Sequence, residues 1–152
     1  ELWRLDHQKA HSNTPNRKTF ELTRLVNSRA GRGRLNGKND TTDKFIFSRK
    51  NPFGVNQADQ IIQFSIADGD HIQLDSSIFT GAKKKRFSTA DTLEAFNQEQ
   101  NRASNIIYFE PTGELYFDQN GRQPGLGDPK NSGLFAILKG SPELTQADIA
   151  LN

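Results

Sequence analysis

The chain has 152 residues, the usual size of one domain, and it contains no Cys and no Met. The lack of Cys excludes disulfides and thiolate metal sites within this sequence. Hydrophobic residues make up only 33% of the chain and charged residues 25%, so the core must depend on the 11 Phe residues and the Ile, Leu and Val runs. No apolar run approaches the roughly 18 residues that a membrane span needs. The start at Glu1 predicts a piece of a longer protein.

The net charge is +2, but it is unevenly distributed along the chain. Residues 1–38 contain nine Lys or Arg and three acids, a net charge of +6, which leaves −4 for residues 39–152. We therefore divide the sequence into a basic segment, 1–38, and a β domain, 39–152. In the basic segment, short strands are predicted at Leu2–Leu5 and Phe20–Val26, separated by a polar loop.

After residue 39 the hydrophobic pattern predicts strands. Lys44–Phe47 is a β run that ends at the Asn-Pro-Phe-Gly break. Ile62–Ile66 and Ile72–Leu74 both alternate apolar and polar residues, which is the period of a half-buried strand. The turn sequence Ala-Asp-Gly-Asp lies between them, so the pattern predicts a β-hairpin.

A single helix is predicted over residues 89–101. Ser88 lies three residues before Asp91 and ahead of an apolar pair, which is typical of a capping box at a helix start.

The last third of the chain predicts further strands. Ile106–Phe109 and Glu114–Phe117 are expected to pair across a Pro-Thr-Gly turn. Leu134–Leu138 is apolar on both faces, which favours a central strand. A short capped turn is expected at residues 145–148.

Several of these segments, in this order, resemble one family. They are Asp43–Phe47, Asp59–Phe64, Gly69–Asp75, Ile106–Tyr108 with the block Thr112–Gly121, and Phe135–Leu138 followed by Leu144–Ile149. Together they resemble the C-terminal region of RTX-type (hemolysin-type calcium-binding) exported bacterial proteins, including serralysin-like proteases and cyanobacterial surface proteins. The likeness covers residues 39–152 and leaves out 1–38. The family's glycine-rich nonapeptide repeats are missing here.

The resemblance implies a mainly β fold, a small β-sandwich or β-roll-capping domain with one short helix. It implies a non-catalytic C-terminal module of a type I-secreted protein that caps a repeat region, is located outside the cell or on its surface, and folds with calcium. Its partner would be the type I secretion machinery. The secretion signal would be at the chain's end, which we expect to be exposed: Asp148, Ile149, Ala150 and Leu151.

Calcium takes six to eight oxygen ligands from carboxylates and loop carbonyls. The candidate ligands lie at the repeat-like turn, in the strand motifs and in the Asp-x-Asn-Gly turn: Asp40, Asp43, Asp59, Asp70, Asp118 and Asn120. The alternative is that these residues form Asx turns, in which a side chain bonds its own local backbone.

A second class of function is a surface-adhesion module that binds a polyanion. Lys83, Lys84, Lys85 and Arg86, together with the basic run Arg29–Lys38, would attract phosphate or sulfated polymers; the alternative is solvated loops. DNA binding is not expected, because aromatic residues do not alternate with the basic ones.

Neither a zinc site nor a catalytic site is expected. His7 and His11 have the i, i+4 spacing of a zinc pair, but the Asn and Pro residues that follow favour a solvated pair instead. No nucleophile or acid–base pair can be assembled, so this chain is not expected to be an enzyme. The full-length parent protein could still be a secreted hydrolase.

Overall fold

The computed structural model describes residues 22–83 and 86–152. The described residues form ten β-strands and one α-helix, which confirms the predicted mainly β fold with one short helix. The strands are β1 Arg24–Asn27, β2 Arg34–Asn36, β3 Asp43–Phe47, β4 Asp59–Ile62, β5 His71–Leu74, β6 Phe87–Ala90, β7 Ile106–Phe109, β8 Glu114–Phe117, β9 Gly133–Leu138 and β10 Ile149–Leu151, and the helix is α1 Leu93–Glu99. The predicted strand Leu2–Leu5 lies outside the described residues.

The strands form two sheets that the chain visits in turn. One sheet has the order β1-β3-β5-β10 and is parallel throughout. The other has the order β2-β4-β9-β8-β7-β6 and is parallel from β2 to β9. Strands β1 to β5 therefore alternate between the sheets and build a parallel two-sheet coil. The antiparallel strands β7 and β8 then follow in the second sheet.

The hydrophobic core lies between the two sheets. In β3 every second residue is buried, as the alternation predicts, and Phe45 is fully buried. The rings of Phe47 in the first sheet and Phe135 in the second meet edge to face with their centroids 5.3 Å apart. One continuous core, which also contains Ile72 and Phe117, joins the sheets into a sandwich.

The predicted hairpin at residues 62–74 is wrong. Strands β4 and β5 lie in different sheets, and β5 pairs in parallel with β3, with Ile72 opposite Phe45. The Asp-Gly turn is present: Gly69 has a φ of 78°, and the Asp70 N–H donates to the Ser65 carbonyl at 3.1 Å. This turn takes the chain from one sheet to the other, because alternation within a strand does not specify its partner.

The predicted helix is shorter than expected and begins later. Thr92 is its N-cap, and the Thr92 hydroxyl accepts from the Ala95 N–H at 3.1 Å. Ser88, the expected cap, lies instead in β6, which pairs in parallel with β7. The pairing of residues 87–90 with β7 removes them from the helix.

Other expectations from the last third of the chain are confirmed. Strands β7 and β8 pair antiparallel with Ile106 opposite Phe117, and β9 is a central strand between β4 and β8. A capped 3-10 turn is present at Gln146–Asp148.

The boundary proposed at residue 38 passes through both sheets. Strand β1 pairs with β3 and strand β2 with β4, so residues 24–36 belong to the same coil as the strands that follow. Within the part of the chain that is described, no helix has the length and hydrophobicity to cross a membrane.

Candidate functional site

Four aspartates are at most 2% exposed: Asp43, Asp59, Asp70 and Asp118. Carboxylates are seldom buried unless they are paired, so each requires a partner. The first three lie at the beginnings of β3, β4 and β5, where the chain enters the coil from a turn. The fourth follows the last residue of β8.

Asp43 and Asp70 hold equivalent turns. Lys38 N–H donates to Asp43 Oδ2 at 2.6 Å, and Ser65 N–H donates to Asp70 Oδ2 at 2.8 Å. In both cases the donor lies five residues before the carboxylate, so the aspartate closes its own turn. The two turns, which lead into strands of the same sheet, therefore share one hydrogen-bonding pattern.

The second oxygen of each carboxylate bonds to the neighbouring strand. Arg24 Nε donates to Asp43 Oδ1 at 2.6 Å, and Asp43 N–H donates to Asp70 Oδ1 at 2.7 Å. Burial raises the pKa of Asp70, and its two backbone hydrogen bonds oppose that shift. Both oxygens of Asp43 and of Asp70 are therefore bonded to donors.

Asp59, at the beginning of β4 in the other sheet, accepts hydrogen bonds from residues that are distant in sequence. Gly33 N–H donates to Asp59 Oδ1 at 2.7 Å, and the Ser28 hydroxyl donates to Oδ2. Burial raises the pKa of Asp59, and these two hydrogen bonds lower it. Asp43 and Asp70 each bond nearby backbone, as the alternative to calcium predicts, whereas both donors to Asp59 are distant in sequence. No group of three His, Cys, Asp or Glu side chains suited to a metal occurs in residues 22–83 and 86–152.

Asp40 does not join this set. It is exposed, it has a φ of 57°, and its N–H donates to Asp68 Oδ2 at 3.2 Å. Its side chain is therefore far less desolvated than those of the buried aspartates.

Asp118 differs from the other buried aspartates because one of its oxygens has no donor. Gly121 N–H donates to Asp118 Oδ1 at 2.9 Å, whereas Oδ2 is buried without a hydrogen-bond partner among the described residues. Burial raises the pKa of Asp118 to about 6, and hydrogen bonds from the backbone N–H groups of Gly121 and Asn120 oppose that shift. The Oδ1 atom of Asn120, two residues along the same turn, is also buried and lacks a partner there.

Asn105, which the sequence analysis missed, lies beside Asp118. Asp118 N–H donates to the Asn105 carbonyl at 2.7 Å, and Asn105 Nδ2 donates to the Asp118 carbonyl at 3.0 Å. The remaining Asn105 oxygen, Oδ1, is buried without a partner in the described structure. The predicted β7–β8 pairing contained this signal, since a register of Ile106 with Phe117 continues to 105 with 118.

The expected exposure of the chain's ending is wrong. Ile149 is 1% exposed, and β10 pairs in parallel with β5 along residues 149–151. Asp148 Oδ2 accepts from the Thr145 N–H at 2.8 Å and so caps the turn before this strand. Ala150 and Leu151 are half-buried.

Basic residues are concentrated around β1 and β2. Residues 22–38 contain five Lys or Arg and no acid. A groove of about 400 Å³ runs between β1 and β2 and is lined by Arg24, Arg29 and Arg34 among others. Lys83 and Arg86 are exposed, while Lys84 and Lys85, like His7 and His11, lie outside the described residues.

Comparisons with protein families and with curated proteins gave no match.

Proposed function

We propose that this chain is a non-catalytic end module that closes a two-sheet coil in a longer, exported protein. The observation that supports this most is the position of β1 and β2. They lie at the same end of the coil, each as the first strand of its sheet, and the chain alternates between the sheets from there to β5. A preceding turn of coil would add one strand to each sheet at this end.

The backbone of β1 and β2 is arranged for such an addition. The Arg24 N–H donates to the carbonyl of residue 42, just before β3, and the Ser28 N–H donates to a β3 carbonyl, that of residue 46. By alternation the N–H groups of Leu25 and Asn27 point away from the sheet. In β2, Gly37 N–H donates to the Ile62 carbonyl, and the N–H groups of residues 34 and 36 point outward in the same way. Unpaired edges of this kind are templates for strand addition.

The other end of the coil is closed. Strands β7 and β8 run antiparallel between β9 and β6 and interrupt the parallel stacking of the second sheet. In the first sheet, β10 is a three-residue strand preceded by a capped turn. In a parallel coil every strand of a sheet runs in the same direction. The antiparallel pair β7–β8 breaks this rule, which supports the proposal that this part of the chain is the end of the coil.

The proposal includes export by a type I secretion complex and a location outside the cell or on its surface. The segment Asp148–Leu151 would be read as the signal before folding, since Ile149 becomes buried in the folded domain. The RTX-like order of the motifs supports this assignment.

The stacking proposal is tested by hydrogen exchange on this chain extended by its natural upstream residues. The amides of Leu25, Asn27, Arg34 and Asn36 should exchange more slowly in the extended protein than in the 152-residue chain. The amides of β9, which is central in both, serve as the internal control. Equal exchange at the four edge amides in both proteins would contradict the stacking.

The export proposal is tested in bacteria with and without a type I secretion complex. Deleting residues 148–152 should remove the chain from the medium. Because that deletion also removes β10, the control is Ile72→Asp, which disrupts the core and leaves the ending intact. Export that persists after the deletion, or falls equally in the control, contradicts the signal assignment.

A second candidate function, binding to a surface polyanion, is favoured by the basic stretch 22–38, which has no acid. Arg29 and Arg32 are exposed on the bend between β1 and β2. The double variant Arg29→Gln/Arg32→Gln should elute from heparin at lower salt than the wild type, and the exposed Lys139→Gln should serve as a charge control. Retention that the double variant and the control change equally argues against this candidate.

A further inference from the structure

We infer that a cleft around Phe53 binds an acidic oligosaccharide, a chain of sugar rings that carry carboxylate groups. The cleft lies where the loop after β3 meets the loop before β9. None of its residues belongs to the basic stretch 22–38 or to Lys83–Arg86, so this site differs from the second candidate function proposed above. It also does not depend on the capping or export proposals.

The floor of the cleft is apolar and its sides are basic. An open cavity of about 410 Å³ is lined by two prolines, one aromatic ring, one amide and two lysines: Pro52, Pro129, Phe53, Asn51, Lys50 and Lys130. Both lysines are exposed, and Phe53 is half-buried. An aromatic face carries negative charge density and C–H groups are weakly positive, so such a ring packs favourably against the C–H face of a sugar.

A smaller cavity of about 100 Å³ adjoins the first, since Lys50 and Phe53 line both. Its other lining residues are Ile78 and four side chains that end in a hydroxyl or an amide: Ser77, Thr80, Gln119 and Asn131. Hydroxyls and amides both donate and accept hydrogen bonds, as the hydroxyl groups of a sugar do. A few such groups beside an apolar surface orient a ligand and give specificity.

The charge of the cleft favours an acidic sugar. Among the described residues no Asp or Glu lines either cavity, and neither Lys50 nor Lys130 forms a salt bridge there. The neighbouring Asp128 faces its own turn, where its two oxygens accept from the Lys130 N–H at 3.0 Å and from Asn131 Nδ2 at 3.2 Å. A uronate sugar carries hydroxyls for the polar cavity and a carboxylate for the lysines in one ring, whereas an acidic peptide lacks the hydroxyls.

Both walls of the cleft are fixed by the fold. The centroid of the Phe53 ring lies 6.1 Å from that of Phe117 and 6.4 Å from that of Phe79, which it meets edge to face. On the other wall, the Ser132 hydroxyl donates to the Asp128 carbonyl at 2.9 Å and closes the turn that carries Pro129 and Lys130. A cleft that is already shaped loses little conformational entropy when a ligand binds.

The test is a titration of the 152-residue chain with a four-unit oligogalacturonate at low salt, followed through the backbone amide signals in NMR spectra. Signals from residues 50–53, 77–80 and 129–131 should shift. The fully methyl-esterified oligomer has the same rings without the charge and should bind more weakly at the same residues. An acetylated and amidated tetraglutamate has the charge without the rings and should bind more weakly than the oligogalacturonate.

Variants at exposed positions locate the site. Lys50→Gln and Lys130→Gln should each weaken oligogalacturonate binding about two- to fivefold, the size of an exposed ion pair. Lys139→Gln makes the same charge change at the other end of β9 and should bind like the wild type. Thr80→Val removes a hydroxyl with little change of shape and should weaken the binding of the acidic and the esterified oligomer alike.

Shifts at these residues, together with weaker binding by both lysine variants, support the site. No shift there, shifts confined to residues 24–36, or an equal loss of affinity in Lys139→Gln overturn it. Tetraglutamate that binds the same residues as tightly as the oligogalacturonate also overturns it, because the cleft would then recognise charge alone. The double variant Arg29→Gln/Arg32→Gln should leave this binding unchanged, and a loss equal to that of the lysine variants contradicts a separate site.

Discussion

The N–H of Asp43 donates to Oδ1 of Asp70 at 2.7 Å, which links the first residue of β3 to the residue before β5. The Asp43 carboxylate is bonded in the same way from the other side, by Arg24 of β1 at 2.6 Å. Asp43 and Asp70 thus form a ladder in the first sheet, in which each carboxylate closes its own turn and accepts a hydrogen bond from the strand before it. The ladder sets how successive turns of the coil stack.

Replacing Asp70 should cost a large part of the domain's stability. Asp70→Ala leaves the buried N–H of Asp43 and the partly buried N–H of Ser65 without acceptors, at a cost of about 2–5 kcal/mol. Asp70→Asn retains one acceptor and should cost less. The free energy of unfolding in urea measures both variants.

The control is Asp75→Ala. Among the described residues the Asp75 carboxylate accepts only from the exposed Ser77, so removing this side chain should change stability little. If Asp70→Ala is as stable as Asp75→Ala, the ladder does not carry the stability assigned to it.

Gly113, in the turn between β7 and β8, should not tolerate a side chain. Its φ is 70°, and a Cβ there would overlap the carbonyl oxygen of Leu138 in β9. Gly113→Ala is therefore expected to lose about 3–5 kcal/mol, from the backbone strain and the displaced strand together. Chemical denaturation measures the loss.

Gly31 supplies the matched control for this turn. Its φ is 77°, and a Cβ there would meet nothing within 4 Å, so Gly31→Ala should cost only the conformational strain of about 1 kcal/mol. Similar losses in the two variants would show that the approach of Leu138 is not the cause.

The sequence predicts strand positions better than strand partners. The β7–β8 pair and the central β9 follow from apolar runs and a Thr-Gly turn. The partner of β5 does not follow from the sequence. Ile72 and Leu74 alternate with polar residues in the same way whether the strand pairs with β4 in a hairpin or with β3 in a coil. Strand direction depends on contacts between distant residues, which a local pattern does not contain.

Only part of the candidate site was predicted, again because a local sequence pattern does not contain contacts between distant residues. Asp118 and Asn120 are recognisable from the Asp-x-Asn-Gly turn, but Asn105 joins them only through the register of β7 with β8. Asp43, Asp59 and Asp70 were found by their motifs, whereas their bonds to N–H groups depend on which turn approaches each carboxylate. The burial of Ile149 was missed because three residues are too few to show a pattern.

Asp118 should make the free energy of unfolding depend on pH. Its folded pKa is about 6 and lies above the unfolded value of about 3.9, so the folded chain binds more protons between these values. The contribution of Asp118 is therefore most favourable below pH 4 and is lost as the pH rises to about 6. Asp59 and Asp70, whose pKa values burial also raises, act in the same direction.

Urea unfolding of wild type and Asp118→Asn in chelator isolates this contribution. The stability of wild type relative to the variant should fall between pH 4 and pH 6.5, by about 1.4 kcal/mol for each unit of pKa shift. A constant difference between the two proteins across this range would contradict a raised pKa.

Ile149 should behave as a core residue although it lies three residues from the end of the printed chain. It is 1% exposed and lies opposite Ile72 in the parallel pair of β10 and β5, so Ile149→Ala should lose about 2–4 kcal/mol through the lost burial and the cavity left behind. Leu151→Ala, at a half-buried position on the same strand, is the control and should lose less. Equilibrium unfolding of both variants measures the difference. An equal loss in the two, or none in Ile149→Ala, would mean that β10 frays in solution, and the ending would then be accessible in the folded domain without prior unfolding.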